Sequence, residues 1–275
     1  MRIKTDSHTH TEYCPHGSGE YAEEMIRRAI ELGYENYSIT EHAPLPEEFL
    51  PSDVSKIYAM DEFNMKSSEV EHYLKSMHRL KDKYKSEINI KVGFEFDYIE
   101  GYEEYLRDFL DEYHGCIDDS IISVHFLRGA GGLRAIDFSP SDFKEGILDF
   151  YGSFKEVENA YFKTIAALIK ADLGEYKPRR IGHITIYRKF EKYNFDGGES
   201  IPKASIPDFI AQMLLEKNIQ LDYNLSGYKK PYLKDSCPPA YLLDSLTKKG
   251  IILVPGSDAH SSKDLWSEED LALIK

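Results

Sequence analysis

The residues in this chain able to do chemistry are histidines and carboxylates set beside short apolar runs. Asp6-Ser7-His8-Thr9-His10 stands near the start, and His16 follows soon after. Glu41-His42, Glu95 with Asp97, His125, His183, Asn224 and Asp258-Ala259-His260 come later. Seven of the ten histidines fall in this set. On extended chain a two-residue spacing turns both side chains to one side. His8 and His10 therefore offer two imidazoles together, which suits a divalent metal ion. Asp258 and His260 repeat that spacing. Glu95 sits in Val92-Gly93-Phe94-Glu95-Phe96-Asp97, an otherwise apolar run. A buried carboxylate there needs a partner or a metal. Taken singly, each piece has an ordinary reading. His8 and His10 read as loop residues facing solvent, His42 as a turn residue, and His125 and His183 as buried rings bonded to backbone carbonyls. Taken jointly, they read as one metal cluster, provided the fold brings them together.

The elements that would do so form a strand–loop–helix rhythm. Seven short, apolar, often β-branched runs read as strands: Ile3–Asp6, Tyr37–Thr40, Ile88–Glu95, Ile121–His125, Arg180–His183, Ile219–Tyr223 and Ile251–Val254. Helical patterns lie between them, at Tyr21–Leu32, Met60–Tyr84, Tyr102–Tyr113, Phe154–Asp172, Ile206–Lys217 and Pro239–Lys249. In the first, Ala22, Ile26 and Ala29 share a face, acids precede bases, and Gly33 is placed to end the helix. Alternating strands and helices predict an α/β fold with a parallel sheet and right-handed crossovers. No GxGxxG or P-loop follows the first strand, which weakens an open nucleotide-binding sheet. Every chemical residue named above falls at the C-terminal end of a predicted strand. In a parallel barrel those ends share one face, where active sites are built. Two insertions, Pro44–Tyr58 and Leu127–Phe150, are expected to be loops covering that face.

Composition limits the functions open to such a site. The chain has 275 residues, with 34 basic against 48 acidic and a formal charge of −14. That balance argues against a nucleic-acid partner, since such binders carry a basic face. A small anionic substrate stays open, because bound metal supplies local positive charge. Hydrophobic residues make up 41% and charged residues 30%, as in a soluble globular protein. No run is apolar enough to cross a bilayer, and the N-terminus has no apolar signal region. No membrane partner and a cytoplasmic location are therefore expected. Cys14, Cys116 and Cys237 are scattered and form no CxxC, which fits a reducing compartment. With no repeat or linker, residues 1–275 read as a single domain.

Several segments are recognisable as a set: Asp6-Ser7-His8-Thr9-His10, Pro15-His16, Thr40-Glu41-His42, Gly93-Phe94-Glu95, Ser123-Val124-His125-Phe126, Gly182-His183-Ile184 and Gly256-Ser257-Asp258-Ala259-His260. With them the chain resembles the PHP (polymerase and histidinol phosphatase) metal-dependent phosphoesterases. The likeness runs from residue 6 to residue 260. Chain length, the run Lys177-Pro178-Arg179-Arg180-Ile181-Gly182-His183 and the later Arg188-Lys189-Phe190 point to the monofunctional histidinol-phosphatase type. The resemblance implies a distorted (β/α)7 TIM-like barrel with three divalent ions, of zinc, iron or manganese. It gives the first ion to His8, His10, Glu95 and Asp258. Glu95 would bridge to a second ion held by His125 and His183. His16, His42 and His260 would hold a third. Glu95, Asp258 and His260 are the implied catalytic residues. Asp6 and Glu41 are expected to orient neighbouring histidines, and Cys14 receives no ligand role.

The implied activity is hydrolysis of a small phosphomonoester, L-histidinol phosphate, to L-histidinol and phosphate in histidine biosynthesis, by attack of a metal-bridging hydroxide. Three divalent ions bring about +6, and the two ligand carboxylates return about −2. A hydroxide and a phosphate dianion remove about three of the remaining charges, which suits a monoester better than a diester. Asp258 and a water at the third ion are both candidates to protonate the leaving alcohol. Arg188 is the expected phosphate clamp, with Arg179 and Arg180 as rivals, and Ser123 is expected to touch substrate. The insertion Leu127–Phe150, with Asp137 and Tyr151, is expected to supply contacts to the imidazole and amine. The alternatives are a phosphodiesterase or exonuclease on the same metal face, and a metal-binding protein without catalysis.

Overall fold

The computed structural model describes residues 4–47, 63–195 and 201–272. Its strands are β1 (Thr5–Asp6), β2 (Asn36–His42), β3 (Asn89–Asp97), β4 (Asp119–Ser123), β5 (Phe126–Gly129), β6 (Gly132–Ala135), β7 (Arg180–Ile181), β8 (Gln220–Asn224) and β9 (Leu253–Gly256). Seven of them form one sheet in the order β1-β2-β3-β4-β7-β8-β9, with every neighbouring pair parallel. The last strand meets the first. Ser7 N–H donates to Pro255 O at 2.9 Å, Asp258 N–H to His8 O at 2.7 Å and His10 N–H to Ala259 O at 2.9 Å. The sheet thus closes into the expected seven-stranded barrel.

The helices that face the sheet are α1 (Ala22–Glu31), α2 (Val70–Tyr84), α3 (Glu103–Tyr113), α4 (Phe154–Lys170), α5 (Asp208–Glu216) and α6 (Ala240–Lys248). α1 buries Ala22, Met25, Ile26 and Ala29, and Gly33 (φ 80°) follows its end. β3 shows how period two divides core from site. Phe94 and Phe96 face outward, with ring centroids 5.3 and 5.5 Å from that of Phe109 on α3. Glu95, between them, must then point into the barrel.

The boundaries differ from the sequence reading in three informative places. β1 and β7 have only two residues each, because the chain leaves the ladder at once to present His8 and His183. The helix expected from Met60 begins as a 3₁₀ turn at Ser67 and becomes α-helical only at Val70. Asn64 holds the preceding chain away from helix: its amide donates to Ala43 O at 2.6 Å and to Asp97 Oδ2 at 3.0 Å. The insertion Leu127–Phe150 is more ordered than a loop. It contains the antiparallel hairpin β5–β6 and short helical turns. Of the insertion Pro44–Tyr58, the part from residue 48 onward lies outside the described residues, as do Ile3 of the first predicted strand and residues 60–62 of the predicted helix.

Candidate active site

The C-terminal strand ends surround a cavity of about 750 Å³. Glu95 is the centre of its floor. Its Oε2 lies 3.0 Å from His8 Nε2, 3.5 Å from His10 Nε2 and 3.5 Å from His42 Nδ1. Its Oε1 lies 2.9 Å from His183 Nε2 and 3.7 Å from His125 Nε2. Asp258 Oδ1 stands 3.2 Å from His10 Nε2 and 3.7 Å from His8 Nε2. Residues from six strand ends thus meet within a few ångströms.

Local backbone makes this convergence possible. A Cβ at Gly256 would fall 2.5 Å from His8 Cβ and 2.6 Å from Asp222 Oδ1. A Cβ at Gly182 would fall 2.0 Å from Ser123 Oγ and 3.2 Å from Glu95 Oε1. Both glycines let β7 and β9 approach the ligand cluster closely. Asp258 itself holds a left-handed backbone (φ 53°), a costly conformation that clusters at functional sites.

The second ring nitrogen of four of the histidines shows what the cluster is built to hold, while His183 Nδ1 is buried without a hydrogen bond and His42 turns its Nδ1 to Glu95. His8 Nδ1 pairs with Asp222 Oδ2 at 2.8 Å, His10 Nδ1 with Glu41 Oε1 at 3.2 Å and His125 Nδ1 with Asp97 Oδ1 at 2.6 Å. His260 Nδ1 lies 3.0 Å from Asp258 O. Each of these acceptors fixes a proton on Nδ1 and leaves an Nε2 lone pair facing inward. Those lone pairs then face other acceptors. His125 Nε2 and His183 Nε2 are 3.1 Å apart, and His260 Nε2 and His16 Nε2 are 3.2 Å apart. His10 Nε2 is buried without a hydrogen bond. Converging lone pairs and carboxylates require cations between them, so the donor set fits divalent metal.

Electrostatics agree. Burial alone would lower His10 and His125, yet Asp258 and Glu41 raise the first to about 9, and Asp97 and Glu95 raise the second to about 10. Burial would raise Glu95, but the charge of His8 and the hydrogen bond of His183 hold it well below the usual carboxylate range. His42 and His260 are driven well below the ordinary imidazole value by burial and by the neighbouring His10 charge.

Three ligand groups stand out by geometry. His8, His10 and Glu95 make one, and Glu95, His125 and His183 a second. The third contains His42 and His260, as the sequence suggested, together with His10 and Cys14. His16 reaches this group through His260. Cys14, given no ligand role from sequence, is buried and places its Sγ within 4.8 Å of those imidazole nitrogens.

The expected substrate contacts are placed differently. The side chain of Arg188 is 9% exposed and turned from the cavity; its guanidinium donates to Pro202 O at 2.8 Å and pairs with Glu191 Oε2 at 2.5 Å. Arg180 is buried on Ser7 O and Asp119, and Arg179 is exposed on the strand's opposite end. The cations that line the cavity are Lys189, Lys229 and Lys230. Ser123 donates its hydroxyl to Glu95 Oε1 at 2.5 Å, so it positions that carboxylate. Tyr151 lies outside the cavity, its hydroxyl on Arg128 O. Asp6 holds the backbone N–H groups of Ser257 and His8, at 2.9 and 3.3 Å. Asp222 was not singled out from sequence. It lies in β8 like any strand residue, and only the acid-x-Asn pattern Asp222-Tyr223-Asn224, pointing both side chains one way, could have marked it.

A parallel barrel with a histidine–carboxylate floor of this kind defines a metal-dependent hydrolase. The family model of the PHP domain matches residues 6–224, and the chain belongs to that family. Within it, the chain falls in the histidinol-phosphatase branch. The histidinol-phosphatase of Bacillus subtilis (strain 168) is 36% identical over 263 residues, which is 95% of each chain. A solved Listeria monocytogenes structure assigned as a histidinol phosphatase is 40% identical, with a TM-score of 0.91 over 98% of this chain and 99% of that one. Histidinol phosphate phosphatase of Lactococcus lactis subsp. lactis, solved with zinc, L-histidinol and phosphate, shares the fold at 19% identity, with a TM-score of 0.68 over 98% and 92% of the two chains.

Proposed function

We propose that this protein hydrolyses L-histidinol phosphate to L-histidinol and phosphate, using three divalent ions on the barrel floor. The observation that carries this reading is the set of inward lone pairs converging on Glu95, in a chain similar along its whole length to histidinol-phosphatases. His8, His10, Glu95 and Asp258 would hold one ion, Glu95, His125 and His183 a second, and His16, His42 and His260 a third, with Cys14 beside it. Zinc, iron or manganese suits such imidazole and carboxylate donors. When bound, the ions activate a water and neutralise the phosphoryl oxygens.

The chain's own residues do the rest. Glu95 fixes the spacing of two ligand groups and is itself held by Ser123. Asp258 takes hydrogen bonds on Oδ2 from Asn224 and Ser226, both at 3.2 Å, which leaves Oδ1 toward the floor. Burial would raise Asp258, but His8, His10 and His260 hold it well below the usual range, so it is ionised. It can accept the proton lost by the attacking water and return it to the leaving alcohol oxygen. The new bond is water oxygen to phosphorus, and the bond broken is phosphorus to the alcohol oxygen. Lys230 lines the cavity and is placed to pair with phosphoryl oxygens.

The test is to strip the protein with a chelator and follow phosphate release from L-histidinol phosphate. Stripped protein should be inactive, and added zinc, iron or manganese should restore turnover. Full activity after the metal has been removed would overturn the metal assignment.

A further inference from the structure

The cavity has a wall that the hydrolysis itself does not use. Asp137 follows β6, and Lys189 follows the 3₁₀ turn Ile186–Arg188. Both line the cavity, with about a quarter of each side chain exposed, 25% and 22%. Lys189 Nζ donates to Asp137 Oδ2 at 3.0 Å and to Asp137 O at 2.7 Å. This double contact fixes the carboxylate from one side. Its Oδ1 carries no hydrogen bond among the described residues. The other carboxylates around the cavity have neighbours of their own. Asp97 pairs with His125, Asp258 belongs to the floor, and Asp264 Oδ2 accepts from Ser261 at 2.7 Å.

The neighbourhood of Asp137 fits the amino-alcohol end of such a substrate. Phe138, 45% exposed, lies 5.8 Å ring to ring from Phe63, which lies 5.8 Å from Phe126. All three line the cavity. In a phosphorylated 2-amino alcohol the ammonium stands two carbons from the bridging oxygen. With phosphate on the floor, the ammonium stands close to it, among the residues that line the cavity, and Asp137 is one of these. The Lys189 ammonium beside it holds the Asp137 carboxyl well below the usual carboxylate range, so it is ionised.

Resting on the reading of a histidinol phosphate hydrolase, we propose that Asp137 Oδ1 binds the primary ammonium of the substrate and sets the preference for an amino-alcohol phosphate. Lys189 is the positioning residue that holds Asp137 for this contact, and the Phe63–Phe126–Phe138 face is where the ring end lies. A hydrogen bond between two charged groups in a half-buried site carries selectivity on the order of 10- to 100-fold.

The experiment compares kcat/KM for L-histidinol phosphate with that for its analogue lacking the amine, 3-(imidazol-4-yl)propyl phosphate. Wild-type protein should prefer the amine on the order of 10- to 100-fold, and Asp137→Asn should bring that ratio close to one. Asp137→Glu keeps the charge but moves it by a methylene, and should lower the ratio several-fold. It serves as the second variant if Asp137→Asn does not fold. An unchanged ratio in either folded variant overturns the proposal. If wild-type protein does not hydrolyse L-histidinol phosphate at all, the functional reading falls, and the role of Asp137 falls with it.

Discussion

At the scale of single residues, the site rests on division of labour within the imidazoles of His8, His10, His125 and His260. One nitrogen is spent on a carboxylate or carbonyl so that the other is presented inward. Asp222 is the clearest supporting case, because it is fully buried and holds His8 Nδ1 at 2.8 Å. Asp222→Ala should lower metal affinity or turnover about 10- to 100-fold, read by metal titration and kinetics on the same preparation. Glu95→Gln should cost more, since one carboxylate serves both ligand groups. Metal content in that variant should fall together with activity, and a variant with full metal content would break the shared-ligand assignment. The meeting of these residues was legible in sequence because period two and strand-end position bring them to one face without knowledge of packing. Which cations line the cavity was not. Arg188 ends a 3₁₀ turn and Lys189 caps it, where each step rotates the side chain by about 120°. One residue of difference decides between an ion pair with Glu191 and a place in the cavity, and no pattern in the sequence records that rotation.

At the scale of elements, the strand ends position the chemistry, and their shortness is part of the design. β7 ends after two residues, and Gly182 lets the chain pass Ser123 and Glu95 before presenting His183. Gly182→Ala should destabilise the fold by about 1–3 kcal/mol and displace Glu95, because the added methyl overlaps Ser123 Oγ. Chemical denaturation would read the first effect and metal content the second. A variant with wild-type stability and metal content would show that β4 and β7 can separate freely. The strand–helix alternation was readable from apolar runs, and all seven barrel strands were found within a few residues. The hairpin β5–β6 was not foreseen. Its sequence, Phe126-Leu127-Arg128-Gly129-Ala130-Gly131-Gly132-Leu133-Arg134-Ala135, is too rich in glycine to read as paired strands. The start of α2 was set too early because Asn64 makes its contacts with Ala43 and Asp97 across the fold, beyond any local signal.

At the scale of the whole molecule, metal and fold should be coupled. The closed barrel brings imidazoles and carboxylates together, and without metal only protons on rings such as His10 and His125 offset the carboxylates. Metal at about 100 times its dissociation constant should add about 2.7 kcal/mol of stability. That corresponds to a rise in Tm of roughly 5–10 °C, which differential scanning fluorimetry before and after chelation would show. The same coupling fixes the sign of the pH dependence. In metal-free protein His10 and His125 keep their protons up to about 9 and about 10. Below those values metal must expel a proton from each to bind. Metal uptake at neutral pH should therefore release protons, and apparent affinity should rise with pH until those values are passed. Calorimetry in buffers of different ionisation enthalpy would detect the release, and pH-independent binding would contradict it. No helix among the described residues is long and apolar enough to cross a membrane.

The most direct measurement is kcat/KM of the metal-loaded protein for L-histidinol phosphate, beside bis(p-nitrophenyl) phosphate as a diester. With the proposed ions bound, the site would carry a large positive charge and face lysines on its walls, and it should favour the dianionic monoester by a wide margin. Strong preference for L-histidinol phosphate is the expected result. Faster turnover of the diester, or no phosphate released from L-histidinol phosphate with metal bound, would contradict the assignment of this barrel as a histidinol-phosphate hydrolase.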